Sequence, residues 1–183
     1  VDTSRYTYSN TAPRKGIVFY ARPPTPPGAT EFGLLALSEI GRLRPDITIN
    51  LVGWDMSGYD VPFAHVNHKA VDISKLDEIY NRCAAGLVLS LTNMSLLPME
   101  LMASGVVPVV NDAPNTRGVF DSPYVEYVPM SPKAIAERII SIVDRADAVA
   151  HGARISGSVG ETNWSDTAST FIESFATAMR TAL

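Results

Sequence analysis

From Gly16 onward, short apolar or β-branched runs alternate with longer stretches in which apolar positions recur at helical spacing. Residues 16–21 read as a buried strand, followed by the stiff, proline-rich loop 22–28, which cannot be helical. Phe32, Leu35, Ala36, Ile40 and Leu43 then mark one face of a helix, with Thr30 as its N-cap. Residues 47–52 form the next strand and 53–58 its loop. A weaker strand over 66–71 precedes a helix carrying Leu76, Ile79, Tyr80 and Cys83, capped by Ser74. Residues 87–90 are the clearest buried strand. The loop 92–97 leads to a short helix that starts near Pro98 and stops at Gly105. Further strands are expected over 106–110 and 124–128. Ser131 and Pro132 open a helix with Ile135, Ile139, Ile142 and Ala146 on one face. Residues 163–166 begin a last helix with a stripe of Phe171, Phe175 and Met179.

Five or six such units predict an α/β chain: a Rossmann-like doubly wound parallel sheet with helices on both faces. In that architecture ligands bind beyond the carboxyl ends of the strands, near the point where strand order reverses. The segments to inspect are therefore 22–30, 53–60, 65–72 and 91–100. Residues 1–15 are polar and read as a linker or leader, leaving 16–183 as the domain. Together with the absence of an initial Met, this suggests a piece of something longer.

Composition narrows the classes. With 183 residues and 46% hydrophobic content, the chain suits one compact domain. The net charge of −4 and the lack of a basic run argue against nucleic acid as a partner. One cysteine, Cys83, excludes an intrachain disulfide and any multi-cysteine zinc site, and three histidines add little to a metal reading. Apolar stretches such as 84–89 fall far below the ~20 residues of a transmembrane segment.

Residues 87–111, LVLSLTNMSLLPMELMASGVVPVVN, resemble the donor-binding half of GT-B glycosyltransferases. The likeness is to the large retaining group 1 (family four), whose pattern is a serine after a strand, two glutamates eight positions apart, and a glycine-proline-valine strand. Glu100 matches the second glutamate, and residues 102–109 match the trailing helix and strand; the first glutamate falls on Thr92, a departure. The Thr-Asn-x-Ser loop is similar to a subgroup that includes bacterial rhamnosyltransferases. Residues 19–22 are similar to the group's strand ending in a phosphate-binding arginine, and Asn163-Trp164 to the pair that opens its late helix. The resemblance spans roughly 16–175 and is specific within 90–110.

What the resemblance implies is a nucleoside diphosphate-sugar donor and no cofactor or metal. Arg22 and Glu100 are the candidate catalytic residues, for the diphosphate and the ribose diol respectively. An acidic residue that only favours the helix dipole is the competing reading of Glu100. Gly53 lies in the loop after the second strand. Backbone groups of Lys69, Ala70 and Val71 would read the base, with Leu76 beneath it. Asn93, Met94, Ser95, Leu96 and Leu97 form the phosphate loop, where amides opening the following helix offer an anion site. Thr92 either touches the sugar or shapes the loop. The family's usual second cation falls on Pro27 and Gly28. His65 and His68 are not expected to ligate a metal, and Cys83 reads as core.

The expected function is the donor half of an enzyme that moves a sugar to an acceptor hydroxyl in cell-surface glycan synthesis. A separate domain would hold the glycan or lipid-linked acceptor, so this chain alone would be inactive; the expected location is cytoplasmic, peripheral to the membrane. The alternatives are a catalytically silent sugar-nucleotide-binding module, or half of a GT-B sugar-nucleotide epimerase. A flavodoxin-like or periplasmic binding-protein lobe shares only the fold.

Overall fold

The computed structural model describes residues 2–24, 29–92, 94–119, 122–160 and 164–181. Pro27, Gly28, Asn93 and Asn163 lie outside them. Six strands run in the order β3-β2-β1-β4-β5-β6, every neighbouring pair parallel. They are β1 (Gly16–Tyr20), β2 (Thr48–Val52), β3 (Val66–Asn67), β4 (Cys83–Val88), β5 (Val107–Asn111) and β6 (Glu126–Val128). This is the doubly wound order that right-handed crossovers produce when the chain starts at the centre and winds outward in both directions. Central strands β1 and β4 are buried on both faces, which explains their continuous rather than alternating apolar character.

The helices are α1 (Thr30–Leu43), α2 (Ile73–Tyr80), α3 (Leu97–Ala103), α4 (Pro114–Arg117), α5 (Pro132–Val143), α6 (Ala148–Val159) and α7 (Trp164–Thr181). Helix α1 packs against α5, and α3 against α6, so the sheet is covered on both faces. Leu37, Ile40, Ile135 and Ile139 are fully buried in the first of these layers. Gly33 brings α1 down onto the Phe19 ring, a space that a β-carbon would occupy.

Several boundaries differ from the expectation, each for a local reason. Cys83 opens β4 instead of closing a helix, because α2 stops at Tyr80 and Asn81 caps it, donating from Nδ2 to the Asp77 carbonyl. The thiol is nonetheless core, donating to the Ile79 carbonyl, and burial pushes its pKa up to about 12. Thr30 is the first residue of α1, not its cap. Ala29 holds the cap position at φ 46°, and Thr30 Oγ1 instead accepts from the Arg22 amide. Asp72 displaces Ser74 as the cap of α2 by accepting from both its amide and its hydroxyl. The weak strand over 66–71 pairs only at Val66 and Asn67. Ala146 falls in a turn, because α5 ends at Val143 and α6 begins at Ala148.

The polar N-terminal segment lies against the domain. Thr7 donates its amide to Asp77 Oδ1 (2.9 Å), and Asn81 accepts from the amides of Ser9 and Asn10. Tyr6 is 3% exposed, and the buried Arg14 guanidinium caps the end of α3 on the carbonyls of Ser104 and Gly105. Gly105 is required there at φ 67°, where a β-carbon would lie 2.9 Å from the Gly152 carbonyl oxygen. Helix α7 is different: every described side chain from Ser165 to Arg180 is exposed. Phe171 and Phe175, 70% and 61% exposed, stack on each other at 6.4 Å.

Candidate functional site

A cavity of about 500 Å³ opens where β1 and β4 end, the point at which the strand order reverses. Strand β1 delivers Tyr20 and then Arg22 to its rim; β4 runs into Ser90 and Thr92. The loop after β4 is held from below by a clip. Asn111, at the end of β5, accepts from the Ser90 amide (2.8 Å) and donates to the Ser90 carbonyl (3.0 Å). Asn115 donates to the carbonyl of Thr92 (2.8 Å), and Thr116 Oγ1 donates to the Asn111 carbonyl. The loop backbone is thereby fixed before any ligand arrives.

Of the residues expected at the site, Arg22, Val71, Leu76, Thr92, Ser95, Leu96, Leu97 and Glu100 all line this cavity. Arg22 is exposed, its guanidinium 5.6 Å from the centre of the Tyr20 ring, and makes no ion pair among the described residues. Glu100 is half-buried, and desolvation raises its carboxyl pKa above the ordinary 4.5, partly opposed by the nearby Tyr6 hydroxyl. Val71, Ile73, Leu76 and Leu97 supply an apolar wall. The arrangement can neutralise an anion with Arg22, accept hydrogen bonds from a diol at Glu100, and shelter a flat ring against the apolar wall.

Gly53, Lys69, Ala70 and Met94 do not line it. Gly53, at φ 100°, donates its amide to the Lys69 carbonyl (2.8 Å) and abuts the Tyr20 ring. Lys69 pairs instead with Asp55 (3.2 Å), and Met94 is buried beneath the loop. The expected anion site in the first turn of α3 is also closed. Ser95 Oγ accepts the Leu97 amide (3.3 Å), Pro98 has none to give, and the Leu96 carbonyl accepts those of Met99 and Glu100. The two histidines are structural: His68 Nε2 bonds Asn50 Oδ1, and His65 Nδ1 bonds the Phe63 carbonyl. No cluster of metal-ligating side chains occurs among the described residues.

Three contributors escape the sequence reading. Tyr20 looks like an ordinary strand end, and Asn111 like the polar stop after a buried strand. Tyr6 sits in a segment whose polarity hides it; its one signal is a pair of aromatics, Tyr6 and Tyr8, in an otherwise polar run.

Residues 15–140 match the family described as "WsaF, C-terminal domain". A curated relative, the O-antigen biosynthesis protein RfbC of Myxococcus xanthus, is 35% identical over 112 residues, which are 57% of this chain and 9% of that protein. Among solved structures, Anabaena HepE in complex with UDP and glucose superposes with a TM-score of 0.75 at 11% identity, over 97% of this chain and 55% of that one. Sucrose-phosphate synthase from Thermosynechococcus elongatus gives 0.72 at 16% identity, over 99% and 51% respectively. At such identities the structural likeness establishes the Rossmann-like fold. The chain spans only about half, or far less, of these three proteins.

Proposed function

Because the chain belongs to the WsaF C-terminal domain family, we propose that it is the donor-binding half of a glycosyltransferase of cell-surface glycan synthesis. The observation that carries this reading is the single cavity into which the fold brings Arg22, Glu100, Ser95 and an apolar wall. A nucleoside diphosphate-sugar has complementary parts: two phosphates, a ribose diol and a base. Arg22 meets the diphosphate by a charge-assisted bond, Glu100 accepts from the ribose hydroxyls, and Val71 and Leu76 flank the base. Uridine diphosphate is the first nucleotide to try, since HepE was solved with it.

In transfer, the diphosphate leaves an oxocarbenium-like centre, and the protein supplies orientation and charge. With the α3 amides engaged, Arg22 and the hydroxyl of Ser95 carry that stabilisation, without a divalent metal. The resemblance to the retaining group favours retention of configuration. The glycan or lipid-linked acceptor belongs to a further domain of the whole protein, working in the cytoplasm at the membrane surface. No helix among the described residues is long and apolar enough to cross a membrane.

The test is calorimetry and thermal shift of this chain with UDP, dTDP, GDP and ADP in EDTA. Ligand at a hundredfold excess over Kd stabilises the fold by about 2.7 kcal/mol. At least one diphosphate is expected to bind; silence from all four at millimolar concentration refutes the reading. Transfer is expected only from the full-length protein, because orientation of two reactants accounts for ~7–11 kcal/mol of barrier lowering. Acceptor-dependent turnover by residues 1–183 alone would refute the division of labour. Thr92, in place of the family's first glutamate, favours a second reading, a sugar-nucleotide-binding module without transfer. A full-length protein that binds but never transfers would establish it.

A further inference from the structure

We propose that Tyr6, in the N-terminal segment, is a positioning residue of the donor pocket, its hydroxyl donating to Glu100 and aiming that carboxylate at the ribose. The inference rests on the donor reading above and adds a residue to it.

Tyr6 is almost wholly buried and lines the cavity beside Glu100. Its hydroxyl is sealed from water and has no hydrogen-bond partner among the described residues, and the same is true of Tyr80. Buried hydroxyls are rarely left unpaired, and two together call for an acceptor. The two rings stack at 5.8 Å, so both phenols belong to one cluster. Glu100 is the anion they share: its charge helps hold both phenols in their protonated form, Tyr6 pushed up to about 12, chiefly by burial. At neutral pH each phenol therefore keeps a proton to donate. The Tyr6 hydroxyl stands outside bonding geometry with the carboxylate, yet close enough that each shifts the titration of the other. The bond forms when the Glu100 side chain turns toward Tyr6. One carboxylate oxygen then faces Tyr6, and the other is left for the ribose.

The backbone holds Tyr6 in place. Thr7, next in the chain, donates its amide to Asp77 and accepts from Asn81 Nδ2 at its carbonyl (2.7 Å). Both partners lie at the C-terminal end of α2. The charged and titratable groups around the pair are Tyr80 and Asp77 from α2, Arg5 in the segment itself, Cys83 at the start of β4, and Tyr20 and Arg22 from β1 and the loop after it.

The test titrates the chain with uridine, thymidine, guanosine and adenosine and with their diphosphates, comparing wild type, Tyr6→Phe, Glu100→Gln and the double variant. Tyr6→Phe keeps the buried ring and is expected to melt near the wild type. Its expected effect is a roughly three- to tenfold weaker Kd for nucleoside and diphosphate alike. In the Glu100→Gln background the same substitution is expected to cost nothing further, because the two side chains act as a unit. The acid limb of nucleoside binding is expected to move to higher pH in Tyr6→Phe, since the bond that keeps Glu100 ionised is gone. A role confined to packing would leave that limb in place and add its loss to that of Glu100→Gln. Unchanged affinity in Tyr6→Phe, or additive losses, overturns the inference while the donor reading stands. Failure of the wild type to bind any of the eight compounds overturns both.

Discussion

Arg22 and Glu100 face one cavity with opposite charge, and substitution of each should divide the ligand between them. Arg22→Ala is expected to weaken a nucleoside diphosphate by roughly 1.5–3 kcal/mol and leave the nucleoside nearly unchanged. Glu100→Gln should weaken both alike, because both contain the ribose. Calorimetry on the two variants checks this; equal loss of nucleoside in both would show the subsites to be misassigned. Acidity adds a sign. An ionised Glu100 is the better acceptor, and burial raises its carboxyl above the ordinary 4.5. Affinity for an uncharged nucleoside should therefore fall as pH drops, starting at a higher pH than an unperturbed glutamate would give. Both residues were legible because each lies within a short motif beside a predicted strand or helix. Tyr6 was not, because its place beside Glu100 depends on contacts between distant parts of the chain, which spacing does not encode. The open helix terminus was also misread, since a count of orphan amides cannot foresee that Leu96 and Ser95 accept them.

Among the elements, the joint between β4 and β5 does most to shape the site. Asn111 is 2% exposed and satisfies both backbone groups of Ser90. Asn111→Ala would remove the partner of the buried Ser90 amide, at roughly 1–3 kcal/mol, while the Ser90 carbonyl keeps its contact with Asn115 Nδ2 (3.4 Å). The expected outcome is a lower Tm and weaker diphosphate binding together, because the loop that carries Thr92 and Ser95 is left with Asn115 as its remaining side-chain anchor. Near-wild-type melting with intact binding would show that water replaces the side chain. The strands themselves were readable from their apolar runs, and the alternation of strand and helix gave the fold class. Boundaries were less so. Cys83 continues the helical period of Leu76, Ile79 and Tyr80, yet it belongs to a strand, since pairing with β1 outweighs periodicity over so short a helix. The period of α5 likewise runs on to Ala146, past the turn that separates it from α6.

For the whole molecule, the sheet order and the two helical layers make one cooperative core, but α7 stands apart from it in energetic terms. Nucleation makes isolated helices shorter than ~12–15 residues marginal in water, and most helical stability in proteins comes from burying an apolar face. Helix α7 has 18 residues, many of them Ser and Thr, and its Phe171, Ile172, Phe175 and Met179 are open to solvent. It should therefore melt independently of the sheet. Native-state hydrogen exchange of residues 1–183 is expected to show α7 amides exchanging at close to random-coil rates, while those of β1 and β4 wait for global unfolding. Protection of α7 equal to that of the central strands would contradict this. Exchange protection along α7 becomes a gauge of burial: whatever covers its aromatic stripe must also drive the coil-to-helix equilibrium, coupling order in the last helix to occupancy of that face.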